Sequence, residues 1–297
     1  MVATAENLYK MNYSDTNVKK TIAIIGKSYK FIELDKLKNY NIIYLNAFKE
    51  LEKYQSIDYI LLNEESVDAN SLQNVSYVKL STFIETNLKK LYLNKEYNLK
   101  TYSKFQYLQK RVVDFAISIP LMTLALPIML YSAYKIKKES PDGPIFFKQK
   151  RVGKDGKEFE CYKFRSMRTN IDYFNHYTQE NDPRIFKWGE FMRRTRIDEL
   201  PQIINVLKGD MHFIGPRAEW NELVKRYEKE IYNYHNRHLV APGITGWAQV
   251  NYPYGANIED TKQKLMYDLY YIKNWSLWLE IKTILKTIKV VLKREGK

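Results

Sequence analysis

The chain has 297 residues, 45% of them hydrophobic and 28% charged, with a formal net charge of +14. That composition excludes a disordered chain and leaves room for one large domain or two small ones. A lone cysteine, Cys161, excludes an internal disulfide.

The charge is unevenly spread. Residues 1–103 hold 14 Lys, no Arg and 12 acids, whereas residues 104–297 hold 34 basic and 22 acidic residues. The basic surplus belongs to the second part, and such a surface attracts phosphates, nucleic acid or an anionic leaflet. The opening "MVATAENLYKMNYSD" has no basic stretch followed by an apolar run, so a cytosolic or cytosol-facing chain is expected rather than a secreted one.

In chain order, "TIAIIG" (21–26), "NIIYL" (41–45), "IDYILL" (57–62) and "VKL" (78–80) read as buried strands with helical stretches between them. Such alternation predicts a small parallel sheet. The "GKS" at 26–28 is not a phosphate loop, because the motif needs a glycine where Thr21 stands, and no G-x-G-x-x-G occurs. Residues 1–103 are therefore expected to form a truncated Rossmann-like α/β accessory domain, with the polar stretch 93–106 as its boundary.

"FAISIPLMTLALPIMLYSAY" (115–134) carries no charge over 20 residues, long enough for one bilayer crossing. Pro120 and Pro127 lie inside it, and each should kink or break a helix. Both flanks are basic, with Lys104, Lys110 and Arg111 before and Lys135, Lys137 and Lys138 after. Basic flanks favour the cytoplasmic side. A re-entrant helix that bends near Pro127 keeps both flanks there and is preferred over a spanning helix or a buried core helix. At the other end, "NWSLWLEIKTILKTIKVVLKREGK" places Lys282, Lys286, Lys289 and Lys293 on one helical face. Ile281, Ile284, Leu285, Ile288, Val291 and Leu292 fall largely on the other, after Trp275 and Trp278, as in an interfacial amphipathic helix. A soluble helix packed on a core would carry the same apolar stripe.

Between these segments, "IFFKQ" and "KEFECYKF" read as strands around a "GKDGK" loop. "RRTRIDELPQIINVLKGDM" (193–211) then sets Asp198 and Glu199 beside three arginines and just before Pro201. Proline fits only the first turn of a helix, so a helix is expected to start near Asp198. The acids would then cap free N–H groups, or serve chemistry at a phosphate-attracting helix start. "GPR" at 215–217 presents Arg217 from a Gly-Pro loop, a common way to aim a guanidinium at a phosphate. His235 and His238 lack a second ligand pair, which argues against zinc, and Cys161 reads as a buried strand residue.

Taken together, "KRVVDF", "GPIFFKQKRVG", "YKFRSM", "DELPQIINVLKGDM", "IGPR" and "PGITGWAQVN" follow one another within residues 110–251. This series closely resembles the bacterial sugar transferase family, the monotopic phosphoglycosyl transferases, over residues 105–297. The resemblance implies an α+β fold. A monotopic membrane catalytic domain (104–297) would carry a re-entrant helix at about 112–135 and amphipathic interfacial helices, preceded by the small α/β Rossmann-like domain (1–103). It implies transfer of a sugar-1-phosphate from a UDP-sugar to a polyprenyl (undecaprenyl) phosphate, with release of UMP and use of Mg²⁺. The partners would be donor, acceptor and lipid bilayer, not nucleic acid, at the cytoplasmic face of a bacterial inner membrane; a homo-oligomer is left open. The family's Asp-Glu dyad matches Asp198 and Glu199. Asp198 would be the nucleophile, forming an aspartyl phospho-sugar, and Glu199 a metal or proton-handling partner, with both acids at the metal. Arg217 and Arg193 would bind phosphates, Lys163 and Arg165 are further substrate-binding candidates, and Pro127 matches the helix-breaking proline. This chain has Leu126 where many members have Ser or Ala, "QVNYPYG" where they often have "QVNG", and Ala218 where a second proline is usual. A basic nucleic-acid-binding protein and an inactive membrane scaffold of the same fold are the rival readings.

Overall fold

The computed structural model describes residues 19–25, 37–54, 56–62, 77–93, 96–169, 171, 182–252, 255 and 257–292. They fall into two compact units, Met1–Glu96 and Tyr97–Lys297.

The first unit is built on a four-stranded sheet: β1 (Lys20–Ile25), β2 (Tyr40–Leu45), β3 (Tyr59–Leu62) and β4 (Tyr77–Lys79). The order is β2-β1-β3-β4 and every pairing is parallel, as the alternation predicts. Ile22 to Ile25 of β1 are all buried, so both faces of that strand are covered, which is why it reads as a continuous apolar run. Ala23, Ile25, Leu45 and Leu62 form one core cluster. A short helix α1 (Leu80–Phe83) continues as a single π-helical turn to Leu88 and ends at Lys89, whose φ is 55°. The "GKS" at 26–28 lies outside the described residues.

The second unit begins with α2 (Lys104–Glu139), 36 residues long. Ser103 and Gln106 form a reciprocal capping box at its start, satisfying free first-turn N–H groups. The helix continues through Pro120 and Pro127, so the interruption expected at Pro127 does not end it. Each proline removes one i→i−4 bond, yet both rings sit on the exposed side. Lys110, Asp114, Ser118, Ala125, Met129, Ser132 and Ile136 form one buried stripe along the whole length. The opposite face exposes Val112, Ile119, Leu124 and Leu130, with Leu124 79% exposed. By length and composition alone this helix could cross a membrane.

An antiparallel hairpin follows, β5 (Phe146–Val152) with β6 (Glu158–Phe164), turning through Asp155 and Gly156 at positive φ. Then come α3 (Lys187–Thr195), α4 (Gln202–Lys208), β7 (His212–Ile214), α5 (Asn221–Glu230), β8 (Gly243–Thr245), α6 (Trp247–Asn251), α7 (Ile258–Lys273) and α8 (Leu277–Leu292). Ala125, Met129 and Ile136 of α2 pack with Phe164, Phe186 and Met192.

The N-terminal part of α2 is tied down by charge. Lys110 Nζ donates to the Ile214 carbonyl (2.7 Å) and to Glu280 Oε2 (2.8 Å), and Tyr271 and Trp275 also donate to Glu280. Arg111 caps the last carbonyls of α4, those of Val206 and Leu207, complementing its negative end. Asp114 accepts from the Phe213 N–H and meets His212 Nδ1 at 2.6 Å. All three charged residues of "KRVVDF" are thus scaffold. In α8 it is Leu279, Glu280 and Thr283 that face the body, while Trp278, Ile281, Leu285 and Ile288 face out. The apolar stripe of this helix is therefore an external surface, and the soluble-core alternative is set aside.

Candidate functional site

The acid pair occupies a turn of its own. Arg196 takes a left-handed conformation (φ 61°) and ends α3, and Ile197–Glu199 make one 3₁₀ turn before α4 starts at Gln202. The helix expected near Asp198 therefore starts later, and neither acid caps it. An arginine does not mark a left-handed position in the sequence as a glycine would, yet here it ends the helical run. Asp198 Oδ1 is buried without a hydrogen-bond partner among the described residues. A capping role would have satisfied it.

Two cations converge on Glu199. Lys163 Nζ lies 2.7 Å from Glu199 Oε1, and Arg217 Nη2 lies 3.4 Å from the same oxygen. Lys163 arrives from β6, on the face that also carries buried Cys161. The strand is pinned by Asn205 of α4, fully buried, which accepts from the Tyr162 N–H and donates to the Glu160 carbonyl. Arg217 is set by backbone packing. Gly215 donates to the Thr245 carbonyl and Gly243 to the Pro216 carbonyl, so the "IGPR" and "PGITG" loops lie main chain against main chain. A Cβ at Gly243 would sit 2.1 Å from the Gly215 nitrogen, which is why glycine is required there. From behind, Arg237 donates to the Arg217 carbonyl and pairs with buried Asp268 at 2.9 Å.

The electrostatics separate the two acids. Burial alone would raise the Glu199 pKa, but the Arg217 and Lys163 charges and the Lys163 hydrogen bond outweigh it and hold this carboxyl well below the usual range. Asp198 moves the other way. Burial and the neighbouring Glu199 charge raise it, against Lys163, Arg193 and Arg196. Of the two acids, Glu199 is the more firmly ionised. The Cys161 thiol is buried and pushed up, consistent with a strand residue.

A family model for bacterial sugar transferases matches residues 105–294. The chain belongs to the bacterial sugar transferase family. The chain is 47% identical over 184 residues to the UDP-N-acetylgalactosamine-undecaprenyl-phosphate N-acetylgalactosaminephosphotransferase of Aeromonas hydrophila, covering 62% of this chain and 43% of that protein. The UDP-glucose:undecaprenyl-phosphate glucose-1-phosphate transferase of Xanthomonas campestris pv. campestris is 46% identical over 187 residues, 62% of this chain and 38% of its own length. The undecaprenyl-phosphate galactose phosphotransferase of Salmonella typhimurium is 39% identical over 203 residues, 63% of this chain and 41% of its own. The chain spans about two fifths of the length of these curated relatives.

In this family member, Asp198, Glu199, Lys163 and Arg217 come together, and Arg193 acts on Asp198 through its charge. Arg165 does not join them. Its guanidinium is buried and donates to the carbonyls of Pro144, Ser140 and Met167, tying the loop after α2 to the end of β6. A Cβ at Gly143 would meet that guanidinium at 2.9 Å, which accounts for the "DGP" turn. The sequence reading missed Arg151 and Gln202, which line the recess beside Lys163 and Arg217. Arg151 lies within the quoted "KQKRVG", so the signal was present but unassigned. Of "QVNYPYG", residues 253 and 254 lie outside the described residues.

The residues fit a hard divalent cation such as Mg²⁺. Such an ion takes one or two carboxylates and completes its shell with water and substrate phosphates. Asp198 Oδ1 is orphaned and Glu199 is held ionised beside it, and no group of three or more His, Cys, Asp or Glu is placed to hold a metal ion among the described residues.

Proposed function

We propose that this chain transfers a sugar-1-phosphate from a UDP-sugar to undecaprenyl phosphate, as an early membrane-bound step of surface polysaccharide or glycoconjugate assembly. The observation that carries the reading is the buried, unpartnered carboxylate oxygen of Asp198 next to a Glu199 clamped by Lys163 and Arg217. The names of the family's curated relatives supply the substrate class.

In this reading Asp198 attacks the sugar-bearing phosphorus, forming an aspartyl phospho-sugar as the bond to the leaving UMP oxygen breaks. An oxygen of the lipid phosphate then attacks the same phosphorus and releases Asp198. Two successive displacements suit a donor in water and an acceptor in lipid. Arg217 and Lys163 face the developing negative charge. Glu199, held ionised, orients both cations and is a poor proton acceptor, which favours a metal-holding and positioning role over proton handling. Asp198 and Glu199 would hold Mg²⁺, which when bound supplies charge neutralisation on the diphosphate.

The same reading places the enzyme at the cytoplasmic face of the membrane, with α2 re-entering rather than crossing. Support comes from contacts at both ends of the helix: Lys110 bonds Ile214, and Glu139 accepts from the Trp188 N–H, within one compact unit. A crossing would put one end on the far side of the bilayer. The outward apolar faces of α2 and α8 supply the contact with lipid.

The test is UMP release from a panel of UDP-sugars with undecaprenyl phosphate in detergent or nanodiscs. Release dependent on both substrates is expected with at least one donor. No release with any donor overturns the activity. Cysteines placed at Lys104 and Lys138 are both expected to resist a membrane-impermeant thiol reagent in intact cells, and labelling of one alone would establish a crossing.

A further inference from the structure

Arg151 plays no part in the chemistry above, yet it brings a buried donor without a partner to the edge of the recess. It stands in β5, next to the strand that carries Lys163, and lines the recess with Lys163, Gln202, Arg217, Ala218 and Gly243. Its Nη1 donates to the Ala218 carbonyl at 2.8 Å and its Nη2 to Gln149 Oε1 at 2.6 Å. Its Nε is buried with no hydrogen-bond partner among the described residues. No carboxylate forms an ion pair with it there, whereas Lys163 and Arg217 share Glu199.

Three cations therefore border one recess, with Glu199 shared by two of them and the charge of Glu219 acting on Arg151 and Arg217 from nearby. Burial, and then the charge of Arg217, disfavour the protonated Arg151 guanidinium. Like charges held together in a low-dielectric recess repel, and a buried donor without an acceptor adds a desolvation penalty. A phosphate removes both penalties: it accepts from the free donor and places negative charge between the two guanidiniums.

We propose that Arg151 and Arg217 form a phosphate pocket beside the acid pair, in which Arg151 holds the phosphate group that does not undergo attack. The proposal rests on the transfer reading above. The shared ligand chemistry is a phosphate mono- or diester anion. It can come from the nucleotide, as the phosphate that departs with UMP, or from the lipid phosphate waiting to attack.

The experiment uses the full chain in nanodiscs, with ligand binding read by calorimetry and stability by thermal unfolding. One arm titrates UMP and inorganic pyrophosphate; the other titrates a short-chain prenyl phosphate. The variant is Arg151→Gln, which keeps a donor for the Ala218 carbonyl but removes the charge; Arg151→Lys is the conservative companion. Arg151→Gln should weaken the anion held there by about tenfold or more, the worth of a charge-assisted hydrogen bond. Arg151→Lys should recover part of that loss. Without ligand the Arg151→Gln midpoint should equal or exceed the wild-type midpoint, because repulsion with Arg217 is gone, while the ligand-induced rise in midpoint shrinks. A purely structural arginine gives the opposite pair: a lower ligand-free midpoint and an undiminished ligand-induced rise. That pair overturns the proposal, as does unchanged affinity in both arms. Loss confined to UMP and pyrophosphate assigns the pocket to the nucleotide, and loss confined to the prenyl phosphate assigns it to the acceptor. Affinity is independent of turnover. Unchanged binding in an enzyme that releases UMP sinks this pocket alone, and lost binding in a protein that never turns over sinks the transfer reading alone.

Discussion

Both units bury apolar residues, but the second buries far more charge, whereas among the described residues of the first only Lys90 is a buried charged side chain. In the first, the sheet interior is Ile22, Ile24, Ile25, Leu61 and Leu62. In the second, Lys110, Asp114, Arg165, Arg237, Asp268 and Glu280 are buried, while Leu124, Leu130, Leu285 and Ile288 face outward. Water on every side favours the first arrangement. The second suits a body with water on one side and hydrocarbon on another, where apolar helix faces are spent outward. The first half of α2 is joined to α8 and the body by paired charges, such as Lys110 with Glu280 at 2.8 Å, while its second half packs through Ala125, Met129 and Ile136. Charges can be buried there because each has a partner.

The largest expected effect lies at the acid pair. Asp198→Asn should lower UMP release by several orders of magnitude, as loss of a covalent nucleophile does, while the protein stays in the membrane fraction. Near-normal release from this variant would end the assignment. The pH profile gives a finer test. Burial and Glu199 raise the Asp198 pKa, so protonation removes the nucleophile and the rate falls as pH falls through that raised value. Glu199 is held far lower and should contribute no limb of its own. The acid limb is therefore expected above the pH at which an exposed aspartate titrates, and a limb at or below that value contradicts the burial argument.

Next in size is the buried pair. Lys110→Met leaves Glu280 charged and uncompensated in the interior and should cost about 3–5 kcal/mol of stability. Adding Glu280→Gln should restore much of that, since an amide can still accept from Trp275 and Tyr271. Unfolding in detergent measures both, and a wild-type midpoint for Lys110→Met would mean that the pair contributes nothing to holding α2.

Then comes the outward surface. Leu285 is 61% exposed and Ile288 51%. Replacing either with Lys should leave the unfolding midpoint unchanged and weaken binding to vesicles by about tenfold or more, from about 1.5–3 kcal/mol of lost apolar burial in lipid. The same change at Ile24, 1% exposed in the first unit, should unfold the sheet. If Leu285→Lys lowers the midpoint while vesicle binding holds, the contrast between the units fails.

How much of this is legible in the sequence depends on the range of the interaction. The strands of the first unit show because their apolar runs are local. The acid pair and Lys163 show because their motifs are contiguous. Which way the stripe of α8 points does not show, since periodicity says which residues share a face and not what the face meets. Lys110 and Glu280 are 170 positions apart, so only the fold reveals that they pair. The turn around Asp198 hangs on one left-handed residue, Arg196, that no pattern marks. Arg165 carries a motif position yet serves carbonyls, because a guanidinium is equally suited to phosphates and to loop ends.

The smallest effect is expected from removing the first unit altogether, provided that the cut falls in the right place. The segment after Glu96 belongs to the second unit. The Tyr102 ring lies 5.2 Å from that of Trp275 and 5.9 Å from that of His212, and its hydroxyl reaches Tyr271 at 3.4 Å. Tyr271 and Trp275 both donate to Glu280, so Tyr102 leans on the same buried cluster that fixes α2 and α8. A chain beginning at Tyr97 keeps these contacts and all four residues of the acid site, and should release UMP within a few-fold of the full chain. A chain beginning at Lys104 loses Tyr102 and the Ser103 cap, worth about 1 kcal/mol by itself, and should unfold at lower temperature with its chemistry otherwise intact. Parallel assays of the two chains decide the matter. If the chain from Tyr97 folds and binds donor normally yet cannot transfer, the first unit contributes to the reaction, and the two units are not the independent bodies that their interiors suggest.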